Sequence, residues 1–109
     1  MPFTKWAYDF EGPFADPAAL KVEPGLFVIW CESKETWRVL DLDEAENVRA
    51  AMDQPKRKTC WHENCGGNLY YSVMYAKDMP ERRRKRIEAE IRRYENPPCG
   101  ASDGARAGE

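Results

Sequence analysis

Apolar positions along the chain fall into two spacings. Three stretches are apolar at every position or every second one, and two repeat at three and four. "GLFVIWCE" (25–32) is an almost unbroken run of β-branched and aromatic residues opened by Pro24-Gly25, which predicts a buried strand. A short polar connection follows, and "TWRVLDLD" (36–43) predicts a second strand, in which Trp37, Val39 and Leu42 do not alternate strictly. The two read as a hairpin. "NLYYSVMYA" (68–76) is the third and strongest strand.

The helical spacings lie elsewhere. In 43–53, Ala45, Val48 and Met52 share one face, and Asp43 followed by Glu46 has the capping-box spacing. In the stretch from Lys77 to Glu95, Asp78 and Glu81 repeat that spacing, and Pro80 stands in the first turn. Ile87, Ile91 and Tyr94 form a stripe there, and Pro97-Pro98 ends the helix. Residues 54–67 read as a break with one helical turn around Lys58–His62. Residues 1–24 show no period and read as an aromatic, proline-punctuated lead-in whose Trp6, Phe10 and Phe14 pack onto the domain. The expected fold is a small α/β (α+β) sandwich over 25–100, with helices packed on a three-stranded sheet. Residues 101–109 are expected to be a disordered tail.

Composition narrows the class. With 109 residues, 42% of them hydrophobic and four tryptophans, the chain suits one domain with a modest core and is too apolar for disorder. A net charge of −2 gives no overall pull towards nucleic acid, but the charge is uneven. Lys56, Arg57 and Lys58 form one basic run, Arg82, Arg83, Arg84, Lys85 and Arg86 a second, and 41–46 is acidic. Local surfaces for DNA or RNA therefore stay open. Trp37, Trp61, Tyr70 and Tyr71 would add a stacking surface if exposed and core if not. No apolar run approaches membrane-spanning length and the N-terminus lacks the apolar stretch of a signal peptide, so a cytoplasmic protein without membrane contact is expected. In that compartment cysteines are more often thiols or metal ligands than disulfides. Cys60, His62, Cys65 and Cys99 carry zinc-competent atoms at a spacing unlike the common zinc motifs. A Cys60–Cys65 disulfide and burial as free thiols are the alternatives, and Cys31 reads as core.

The order and spacing of "PGLFVIW", the second strand leading into "DEAENVRAAM", and the late helix around Glu88, Ile91 and Pro97 resemble the GIY-YIG nuclease superfamily over roughly residues 24–100. The resemblance implies an endonuclease in which Glu88 holds Mg²⁺ or Mn²⁺, a tyrosine helps to generate the attacking water and an arginine stabilises the developing charge. The first motif stands here as Gly25-Leu26-Phe27 and the second as Asp41-Leu42-Asp43, so both tyrosines and a glycine are replaced. The family's arginine falls on Ala51; Arg49, two positions earlier, points about 200° away around the helix. The family's asparagine falls on Gly100. Losing a proton acceptor removes about 10²–10⁴-fold in rate, before the missing arginine is counted. The resemblance so read implies a divergent nuclease-like domain, associated with nucleic acid or a protein partner, with cleavage weak or lost. Two other readings are an active endonuclease using Glu88 and a protein-interaction or zinc-stabilised module on the same fold. Asp41 and Asp43 share a strand face; if Glu88 meets that face, three carboxylates could rebuild a metal site. Otherwise Asp43 caps a helix and Glu88 is a solvated helix acid.

Overall fold

The computed structural model describes residues 2–100, so the tail expected to be disordered lies outside the described residues. Five strands form one antiparallel sheet: β1 (Phe3–Lys5), β2 (Tyr8–Phe14), β3 (Gly25–Ser33), β4 (Thr36–Ala45) and β5 (Asn68–Tyr75). Their order across the sheet is β1-β2-β5-β3-β4. Two short helices, α1 (Val48–Ala51) and α2 (Pro55–Glu63), cover one face, and α3 (Glu81–Glu95) lies on the other.

The expected three-stranded sheet is therefore wrong. β3, β4 and β5 form as expected, with β3 between the other two, but the lead-in adds two more strands. Its turn is Trp6-Ala7, both at positive φ with no glycine or asparagine to signal it. Gly12-Pro13 then sits inside β2, where the register shifts between Glu11 and Phe14. Phe10, on β2, is 1% exposed, so the lead-in is part of the core.

Each sheet face carries its own apolar cluster. Phe27, Ile29, Leu40, Tyr71 and Val73 pack under Val48, Met52 and Trp61 of the α1/α2 layer. Leu26, Val28, Trp30, Val39 and Leu42 pack under Ile87 and Ile91 of α3. Alternating faces along β3 thus feed two layers, which is why its sequence reads as continuously apolar.

β4 explains its own broken alternation. Trp30 pairs with Val39, but Ile29 pairs with Asp41, leaving Leu40 as an extra residue. This bulge reverses the facing of everything after it. Val39 faces α3, while Asp41 and Asp43 now oppose Ile29 and Phe27 on the α1/α2 face. Leu42 returns to the α3 face.

The helices also differ from expectation. α1 has only four residues and is capped by Asn47, whose side chain accepts from the Ala50 N–H at 3.0 Å; Asp43 remains in β4. The expected break at 54–67 contains the nine-residue α2, started by Pro55. It escaped the apolar pattern because only Trp61 of its residues is buried. α3 begins after Pro80 with no side-chain cap and ends at Asn96 in the left-handed region, φ 50°. The cysteines correct another expectation: Cys31 pairs with Cys65, and Cys60 with Cys99.

Candidate functional site

Three elements meet at the outer edge of β4. The bulge turns Asp41 and Asp43 towards α2. That helix presents Arg57, Cys60 and Trp61, at spacings of three and four, back to them. On the other face, α3 lines Arg84, Glu88 and Arg92 along one ridge, each a turn from the next. Beyond Asn96 the chain crosses the edge, where the Cys99 N–H donates to the Leu40 carbonyl at 2.9 Å.

Asp41 is the centre. It is 0% exposed and accepts four hydrogen bonds. Arg57 donates through Nε at 3.0 Å and Nη2 at 2.9 Å, the Trp61 indole at 2.8 Å and Arg92 Nη2 at 2.9 Å. A carboxylate has about four lone-pair sites, so this one is saturated. Arg57 also pairs with Asp43 through Nη1. Burial alone would lower the Arg57 pKa, but Asp41 and Asp43 outweigh it and raise it above its ordinary value. The same guanidinium lies 5.7 Å from the Phe27 ring centroid and covers it.

Glu88 reaches this network through Arg92, whose Nε donates to it at 2.7 Å. Arg92 also donates to the Leu42 carbonyl and, at 3.1 Å, to that of Cys99. Burial pushes the Glu88 carboxyl above the usual carboxylate range; the Arg92 hydrogen bond pulls against it and the nearby Asp43 charge adds to it. One turn earlier, Arg84 is buried and pairs with Glu44 at 2.9 Å and Glu46 at 3.0 Å.

The structure thus gathers Phe27, Asp41, Asp43 and Glu88 at one edge, but with arginines between the acids. Arg49 does not join them; it stands on α1, 3.6 Å from Asp53. A divalent cation needs free carboxylate oxygens. Asp41 has none to spare, and the acids nearest it already hold Arg57 and Arg92. Among the described residues no group of three His, Cys, Asp or Glu side chains is placed to hold a metal. The residues present do not fit Mg²⁺ or Mn²⁺. Zinc fares no better: Cys60, Cys65 and Cys99 are spent in disulfides, and a disulfide sulfur is not a thiolate ligand. Of that set His62 alone keeps a free donor, and it is exposed.

The basic runs do not form one surface either. Arg57, Arg84 and Lys85 are held in ion pairs. Lys56 and Lys58 lie exposed on α2, while Arg82, Arg83 and Arg86 lie exposed on α3, across the sheet. Beside the network a hollow of about 640 Å³ opens between the sheet and the α1/α2 layer, bordered by Phe27, Asp43, Gln54, Lys56, Arg57 and Cys60. Trp61 and Tyr71 are core, whereas Trp37 is 43% exposed and packs on Tyr70, ring centroids 4.8 Å apart. A second hollow of about 260 Å³, lined by Phe3, Pro13, Trp30 and Trp37 among others, lies there.

The arginines were the missed residues. In the sequence Arg57 reads as one member of a basic run, and no motif marks Arg92. The available signal was the i, i+4 pairing of Glu88 with Arg92. No described helix is long and apolar enough to cross a membrane. Comparison with protein-family models, with curated proteins and with solved structures gave no match.

Proposed function

We propose that the chain is a nuclease-like domain that has lost metal-dependent cleavage and acts as a binding module with weak affinity for nucleic acid. The observation that carries this reading is the saturation of Asp41 by Arg57, Arg92 and Trp61 where the resemblance would have a water-activating site. An ion-pair network neutralises the acids that would otherwise repel a phosphate backbone. Binding is then left to exposed cations, Lys56 and Lys58 on α2 and Arg82, Arg83, Arg86 and Arg93 on α3. Because the two helices lie on opposite faces, one nucleic-acid segment meets two to four of them. The logarithmic salt slope for a single strand should therefore be shallow, about −1.5 to −3. The exposed Trp37 supplies a face for base stacking, which favours single strands.

The test has two arms. Supercoiled plasmid with Mg²⁺ or Mn²⁺ should stay intact. Nicking that vanishes in Glu88→Ala would instead establish an active endonuclease. Fluorescence anisotropy with a labelled single-stranded oligonucleotide should show affinity that weakens with salt and with Arg83→Glu. No binding even at low salt would remove the nucleic-acid reading and leave a protein-interaction module. We further place the disulfide-bonded form in an oxidising compartment rather than the cytoplasm first expected, because glutathione keeps cytosolic thiols reduced.

A further inference from the structure

The segment from Asn96 to Gly100 behaves as a strap over the buried network. Asn96 in the left-handed region ends α3, and Pro97-Pro98 redirect the chain across the edge of β4. Four attachments then hold it down. The Cys99 N–H donates to the Leu40 carbonyl at 2.9 Å, and the Cys99 carbonyl accepts from Arg92 at 3.1 Å. Cys99 is 1% exposed and bonded to Cys60 of α2. Gly100, at φ +94°, sits directly on Asp41, Arg57 and Arg92, so a side chain at this position would strike all three.

Of these attachments only the disulfide is covalent, and Cys60 borders the 640 Å³ hollow from which a reagent can approach. We propose that the Cys60–Cys99 bond is a redox-operated latch: reduction by a dithiol frees the strap and opens Asp41 and Arg92 to the hollow that Arg57 already borders. A thiolate of the dithiol attacks Cys60 Sγ, breaking the Cys60–Cys99 bond, and Cys99 leaves as a thiolate that takes up a proton. The second thiol of the reductant then attacks the mixed disulfide and releases Cys60. Two electrons and two protons pass to the protein, and the dithiol becomes a disulfide.

Once the bond is gone, two hydrogen bonds, the packing of Gly100 and the burial of Pro97 and Cys99 hold the strap. All of these are non-covalent and reversible, so the open form gains population relative to the oxidised chain. Gly100 then no longer covers the Nη2 groups of Arg57 and Arg92, and two guanidiniums flanking Asp41 meet solvent. The latch also distinguishes the two disulfides. Cys31–Cys65 joins β3 to the loop after α2, and neither of its cysteines belongs to the strap. The inference stands whether or not the chain binds nucleic acid.

Hydrogen exchange on the full chain, with and without dithiothreitol, tests it. On reduction the Cys99 amide should exchange at least about tenfold faster, and by a larger factor than the central amides of β3 and β5. The double variant Cys60→Ser/Cys99→Ser should show that fast exchange without reductant and no further response to it. Cys31→Ser/Cys65→Ser loses a bridge of similar span yet should keep the strap protected until dithiothreitol is added. An equal rise at Cys99 and in the central strands would overturn the latch, leaving the bond as a staple of global stability only. So would a Cys99 amide that stays slow in the Cys60→Ser/Cys99→Ser protein.

Discussion

Asp41 shows how far one residue's meaning depends on what folding brings to it. In the sequence it is one of six acidic or apolar letters at a strand end; in the fold it is fully buried and takes four hydrogen bonds from three side chains. Asp41→Ala would leave Arg57 with Asp43 and Arg92 with Glu88 as their remaining carboxylate partners, and the Trp61 indole without its acceptor. The expected loss is on the order of 2–4 kcal/mol, measured as a lower urea midpoint with unchanged slope. Glu88 carries the opposite lesson. Its carboxyl is raised by burial, against the pull of Arg92 and with the push of Asp43. The folded chain therefore holds this proton more tightly than the unfolded chain does. That contribution is full below the ordinary glutamate value of about 4.3 and is lost as pH rises through the elevated one. Glu88→Gln removes the dependence. As pH rises from about 4.3, the stability of the wild type relative to the variant should fall until the raised carboxyl has ionised. A difference that instead grows with pH would mean that the Arg92 pairing outweighs burial.

At the scale of elements, the sequence was legible where local pattern and tertiary demand agreed. β3 and β5 closely match their expected spans because each is bounded by strong punctuation; α3 forms where expected but starts after Pro80 with no cap from Asp78, and Tyr94, expected in its buried stripe, is exposed. It was illegible where a long-range partner decided. β1 and β2 form where Phe10 joins Trp30 in the core under α3 and β2 pairs with β5, and their turn lacks the residues that announce one. α2 carries one buried apolar residue; its remaining reason to form is a pair of carboxylates on β4, which no periodicity records. The bulge at Leu40 was visible only as imperfect alternation, although it decides which face Asp41 and Asp43 take. The edge of β4 makes the same point through Arg84. Its guanidinium bridges Glu44, Glu46 and the Met79 carbonyl, tying the start of α3 to the end of the strand. It is buried, so the methionine that keeps its length would leave Glu44 with Lys85 as its one cationic partner and the Met79 carbonyl without its donor, while the exposed Glu46 turns to solvent. Arg84→Met should cost about 1–3 kcal/mol, and the loss should concentrate in faster exchange of the first turns of α3. Uniform loosening of the sheet would show that the pairing does not anchor the helix locally.

The whole molecule is small for its architecture. A sheet covered on both faces divides its apolar residues between two cores, and a chain of 109 residues gives each core only a modest cluster. The two disulfides offset that division. They close loops with sequence separations of 34 and 39 residues, both running through α2 or its end. Chain-entropy arguments assign about 4 kcal/mol to each loop of that length, and measured values run lower, about 2–4 kcal/mol. A domain of this kind has about 5–15 kcal/mol in all, so two bridges amount to a large share of it. A reducing compartment favours thiols or metal ligands over the disulfides that the four cysteines form. The pairing itself could not be read, since four cysteines allow three connectivities. The consequence is measurable by calorimetry. Full reduction should lower Tm by about 20 °C or more, and each single-bridge variant by about 10–20 °C, with the combined loss departing from the sum because both bridges pack in one cluster and their loops overlap. If reduction leaves Tm unchanged, the two cores suffice alone and the bridges are not structural. Unequal single losses, with Cys31→Ser/Cys65→Ser the costlier, would fit a division of labour in which one bridge holds the fold and the other only the strap.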